Sequence, residues 1–113
     1  MEPQGFFTLT ITSATSGELI AKASLTCFPA GGSHPSPAAA CAQLSEADGR
    51  IEDIPEDPGI CTQEFVPVIV AASGVWRGEE RQFEREFGNR CVAVRGTGGV
   101  IFDFEGTADA ASD

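Results

Sequence analysis

The chain has 113 residues, the size of one domain, and is 42% hydrophobic and 21% charged, which fits a compact fold and excludes a disordered one. Its formal net charge of -10 removes nucleic acid and anionic membrane as partners, because 7 bases among 17 acids supply no basic patch for phosphates. The longest apolar stretch, near residues 66–72, is far short of the roughly 20 residues needed to span a bilayer.

Phe7, Leu9 and Ile11 alternate with Thr8, Thr10 and Thr12, the period-2 pattern of a half-buried strand. After a turn at 13–17, a second strand at about 18–27 is expected to place Leu19, Ala21, Ala23, Leu25 and Cys27 on one face. The two read as a hairpin. The proline- and glycine-rich run FPAGGSHPSP is a loop, and it ends in a helix start, with Ser36 placed to cap and Pro37 at the first helical position. That helix should run to about Ala47, turn Cys41 and Leu44 inward, and stop at Asp48-Gly49.

From Glu46 to Asp57 the chain carries six acids against Arg50 alone, and Pro55 and Pro58 oppose regular structure, so an exposed loop is expected through Cys61. Residues 66–73 read as a strand buried on nearly both faces, and 74–78 as a turn. The next segment, EERQFEREF, is ambiguous: Phe83 and Phe87 lie four apart, as in a helix, while Arg81, Phe83, Arg85 and Phe87 also alternate. Pattern alone favours helix. Val100, Phe102 and Phe104 suggest a short last strand. The whole reads as one domain over residues 1–106 with a disordered polar tail at 107–113.

Little in the chain suggests catalysis or a cofactor. The one histidine, His34, is a sequence neighbour of Ser33 and cannot face it as a catalytic partner must. A loop histidine fixing a turn is the simpler reading. The Glu52/Asp53 pair belongs to a run of acids that reads as a solvated face, and Gly96, Gly98 and Gly99 make a turn more readily than a phosphate loop. Cys27, Cys41, Cys61 and Cys91 include no C-x-x-C pair, so no zinc or thioredoxin-like motif is available, and no metal is expected. An even cysteine count in a small chain suggests a disulfide framework of undetermined connectivity, and hence secretion. Since Met1 is followed at once by Glu2 and Pro3, the chain reads as a mature secreted domain whose signal peptide is absent.

The segment CTQEFVP, Cys61 to Pro67, is extended, flanked by proline and tied at one end by a cysteine. Such a segment can lie in a protease cleft as an added strand, its rigidity lowering the entropy cost of binding. Pattern alone favours a plain anchored connector with no partner.

Three longer pieces carry a family resemblance: SLTCFPAGGSHPSPAAACAQL, GICTQEFVPVIV, and GVWRGEERQFEREFGNRCVAV, followed by GGVIFDF. Together they make the chain, from about Phe7 to Phe104, similar to the Streptomyces subtilisin inhibitor family of secreted serine-protease inhibitors. The resemblance implies an α+β fold, a five-stranded antiparallel sheet with two short helices on one face, and a homodimer through the opposite face. It places EERQFEREF on a strand and a short helix around 89–94, and it implies the pairings Cys27–Cys41 and Cys61–Cys91. It further implies a reactive bond between Gln63 and Glu64. Gln63 then fills a subtilisin-like protease's specificity pocket, Ile60, Cys61 and Thr62 lie on the non-prime side, and Phe65 and Val66 follow on the prime side. Asn89 matches the asparagine that supports the loop from behind. Members usually carry methionine, lysine or arginine where Gln63 stands, so trypsin is not the expected target. Two alternatives stand beside this reading: the resemblance also admits a metalloprotease inhibited through another surface, and a transglutaminase could use the exposed Gln63 as its glutamine donor.

Overall fold

Residues 4–104 are described by the structure, a computed structural model. Strands β1 (Gly5–Ser13) and β2 (Leu19–Cys27) form an antiparallel hairpin. Strand β3 (Val68–Trp76) pairs antiparallel with the other side of β1, and β4 (Glu79–Phe87) pairs with β3, giving the order β2-β1-β3-β4. Helix α1 (Pro37–Glu46) follows β2, and helix α2 (Arg90–Gly96) follows β4 almost at once. The expected tail, 107–113, lies outside the described residues.

The period-2 alternation of β1 becomes the two faces of the sheet. Phe7, Leu9 and Ile11 point inward opposite Leu25, Ala23 and Ala21 of β2, while Leu9 and Ile11 meet Ala72 and Val70 of β3 on their other flank. The alanines leave room above the sheet for the helices, and Leu44 and Ala40 of α1 and Ala93 of α2 fill it, all three fully buried. Burying a leucine or isoleucine in this layer stabilises the fold by about 1.5–3 kcal/mol. A register irregularity between Ile11 and Thr12 turns Leu19 to the outer face, opposite Thr12, so Leu19 is exposed and does not join the apolar row expected for β2.

The sheet has four strands, and the expectation of five is corrected at the C-terminal end. Val100, Phe102 and Phe104 alternate in sequence, but the backbone there folds into turns: Gly99 N–H donates to Val94 O at 2.8 Å and Asp103 N–H to Val100 O at 3.1 Å. Ile101 and Phe102 are both fully buried, which neighbours on a strand with one covered face are not. The carbonyls of Val100 and Ile101 are taken by the buried His34 Nε2 at 3.1 and 3.0 Å, leaving them unavailable to a ladder.

Residues 79–87 are strand, not the helix that pattern alone favoured. Arg81, Phe83, Arg85 and Phe87 lie opposite Gly74, Ala72, Val70 and Val68, while Glu80, Gln82, Glu84 and Glu86 face outward. The long ladder with β3 and the packing of Phe83 and Phe87 on the core outweigh local helix propensity. The turn after β3 is confined to Arg77-Gly78, and Trp76 ends the strand with its ring buried. Gly49, which closes α1, has φ +78° and lies so close to that ring that a Cβ would come within 2.5 Å of it. Ser36 precedes α1 but makes no side-chain cap; its own N–H instead donates to His34 Nδ1 at 2.9 Å. The acidic loop is less open than expected, since a 3-10 turn at Ile51–Asp53 buries Ile51, and Ile54 follows it inward.

Candidate functional site: an extended loop braced by a short helix

Residues 55–67 have no regular structure and lead into β3 at the end of the sheet where β4 finishes, since Val68 pairs with Phe87. Because α2 begins three residues after Phe87, the chain places a helix beside this segment. The prolines at 55, 58 and 67 keep the segment out of helix and ladder alike.

Apart from the half-buried Cys61 and the buried Pro67, its side chains face water. Ile60 is 95% exposed, Phe65 77% and Val66 54%, and Thr62, Gln63 and Glu64 are exposed too. Three apolar side chains so close together in solvent are unusual away from a binding surface. The backbone, by contrast, is held from behind. Cys61 is bonded to Cys91, the second residue of α2, with Cα atoms 5.8 Å apart. Asn89 Nδ2–H donates to Thr62 O at 3.1 Å and to Glu64 O at 2.8 Å, gripping the carbonyls on both sides of Gln63. Further along the segment, Val66 N–H donates to Gly88 O at 2.9 Å.

Asn89 has a second task. Its Oδ1 accepts from Val92 N–H at 2.9 Å, which makes it the N-cap of α2. One buried amide thus fixes the start of the helix with its oxygen and the loop with its nitrogen. The arrangement presents a rigid, extended backbone with its side chains free, a shape suited to a cleft that binds peptides as strands.

The chain is described by the sequence model of the subtilisin inhibitor-like family, which matches residues 4–89. It belongs to that family. Among its relatives, a subtilase-type protease inhibitor of Streptomyces fradiae is 47% identical over 83 residues, covering 71% of this chain and 58% of that protein. Subtilisin inhibitor-like protein 7 of Streptomyces ambofaciens is 40% identical over 91 residues, covering 79% of this chain and 84% of that one. The chain therefore spans less than two thirds of the S. fradiae relative. Among solved structures, one of Streptomyces caespitosus sermetstatin in complex with Bacillus licheniformis subtilisin aligns with a TM-score of 0.67 and 28% identity, covering 82% of this chain and 91% of that chain.

The other residues weighed from the sequence lie elsewhere. The second disulfide, Cys27 with Cys41, ties the end of β2 to α1, away from the loop. His34 is 3% exposed and joins the loop after β2 to the C-terminal turn, a structural role. Glu52 and Asp53 are exposed on the 3-10 turn. Sequence reasoning missed one neighbour of the loop, Arg95 of α2. Its Nη1 donates to Asp57 Oδ2 at 3.2 Å and to Pro58 O at 3.1 Å.

Proposed function

We propose that this chain inhibits subtilisin-like serine proteases by binding as a substrate that resists cleavage, with Gln63-Glu64 as the reactive bond. Gln63 enters the primary specificity pocket. Ile60, Cys61 and Thr62 run along the non-prime side, and Glu64, Phe65 and Val66 along the prime side. The observation that carries this reading is the grip of Asn89 on the carbonyls of Thr62 and Glu64, which braces the peptide on either side of one exposed residue. A loop held before binding loses little freedom on binding, and the same brace keeps the carbonyl of Gln63 from moving as hydrolysis requires. Titrating active subtilisin with the purified protein tests it. Stoichiometric loss of activity, with any slow cleavage mapping after Gln63, is the expected result; full activity at excess protein ends the proposal.

Two finer readings go with it. The two disulfides fit an oxidising, extracellular setting. The outer face of the sheet fits a homodimer interface: Phe6 is 49% exposed there, among the short side chains of Thr8, Thr10, Ala71 and Ser73.

A further inference from the structure

We propose that Arg95 is a positioning residue for the non-prime side of the loop, setting the path of residues 57–61 into the protease cleft. The proposal deepens the inhibitory reading and rests on it.

The stretch from Asp57 to Cys61 is fixed at both ends. Asp57 N–H donates to Arg95 O at 2.8 Å, and Cys61 is covalently joined to Cys91. Between these anchors, among the described residues, the hydrogen bond that residues 58–60 receive comes from Arg95 Nη1 to Pro58 O. The same nitrogen meets Asp57 Oδ2. The guanidinium also lies against Gly59 so closely that a Cβ there would run into Arg95 Nη1 and Cζ. A side chain at position 59 and the guanidinium in its present place exclude one another, and the φ of Gly59 is not left-handed. The guanidinium fills the inner side of Gly59, and the next residue, Ile60, is almost wholly exposed.

The side chains of Arg95 and Asp57 are 38% and 48% exposed, so their ion pair contributes little as a charge interaction. The effect comes from shape: a planar group that donates to two partners while packing on a third backbone. A lysine ammonium supplies the charge without the plane. Arg95 therefore acts on how the loop is presented and far less on whether the domain folds.

The test combines Arg95→Ala, Gly59→Ala, the double variant and Arg95→Lys. Three quantities are read: inhibition of subtilisin, the rate of cleavage after Gln63, and amide hydrogen exchange at Gly59 and Ile60 in the free protein. Arg95→Ala should weaken inhibition about three- to tenfold, speed cleavage and accelerate exchange, since a half-exposed charged bond and its packing are lost. Gly59→Ala, which displaces the guanidinium without removing it, should give the same changes in the native background and none in the Arg95→Ala background. Arg95→Lys should recover part of the loss. Equal effects of Gly59→Ala in both backgrounds, or unchanged exchange and inhibition in Arg95→Ala, would overturn the proposal. Should the native protein leave subtilisin active, the inhibitory reading falls on its own; exchange in the free protein still decides whether Arg95 shapes the loop.

Discussion

Asn89 joins the helix and the loop through separate atoms, so its two contributions can be pulled apart. Asn89→Ala removes the N-cap of α2, at about 1 kcal/mol, and two bonds to loop carbonyls, at about 0.5–1.5 kcal/mol each. Thr62 and Glu64 are exposed, so water replaces part of what their carbonyls lose, and the lower end of that range applies. The sum is about 2–3 kcal/mol, or roughly 10 °C in melting temperature for a domain of this size. Asn89→Ser separates the terms. A serine hydroxyl can still accept from Val92 N–H, but it has no donor long enough to reach Thr62 O and Glu64 O. This variant should recover the cap's share of the melting-temperature loss, roughly a third to a half of it, and still lose about 1–2 kcal/mol of loop organisation, equivalent to roughly 5- to 30-fold. The assay incubates each variant with a trace of subtilisin and follows cleavage after Gln63 by mass spectrometry. Asn89→Ser should be cut 5- to 30-fold faster than the native protein, while its melting temperature falls by roughly 5–7 °C, less than that of Asn89→Ala. Cleavage at the native rate would refute the idea that the asparagine braces the loop.

Three further outcomes are expected. Gln63→Lys should create trypsin inhibition, since its ammonium meets the acidic specificity pocket, and Gln63→Met should keep or tighten subtilisin inhibition; if Gln63→Lys leaves trypsin active, Gln63 is not the residue in the pocket. His34→Ala should lower stability by about 2–4 kcal/mol in chemical denaturation, because it empties a buried site and strands Ser36 N–H and the carbonyls of Val100 and Ile101; a cost below 1 kcal/mol would contradict the linking role. Light scattering at micromolar concentration should give about twice the 11.8 kDa chain mass, and Thr8→Glu on the outer face should return the monomer mass; a native monomer would remove the dimer reading.

The β1–β2 hairpin was legible because strict alternation over Phe7 to Ile11 has one structural meaning, and α1 was legible because Ser36-Pro37 and Asp48-Gly49 bracket it. β4 was not, since its phenylalanines satisfy both periods and only the partner strand β3 decides between them. The false last strand shows the opposite failure. Val100, Phe102 and Phe104 have the right alternation, yet the intervening Ile101 is as deeply buried as Phe102 and more so than Val100, its carbonyl held by a histidine far away in sequence. As for the loop, composition and prolines showed an exposed, extended segment, and the family resemblance singled out Asn89. Spacing alone carries no sign that one amide reaches two carbonyls, nor that Arg95, separated from Asp57 by 38 positions, lies beside it.

The anchoring of the loop on both flanks of Gln63-Glu64 also bears on what a nick there would do. Upstream of the cut, Cys61 stays covalently attached to α2; downstream, Glu64 and Val66 stay hydrogen-bonded to Asn89 and Gly88. The new carboxylate and amine would remain side by side, at an effective concentration far above that of free peptides. Hydrolysis would release little chain freedom, and a protease able to cut the bond could also reseal it. Nicked and intact chains should then coexist at equilibrium in the presence of enzyme, each convertible into the other.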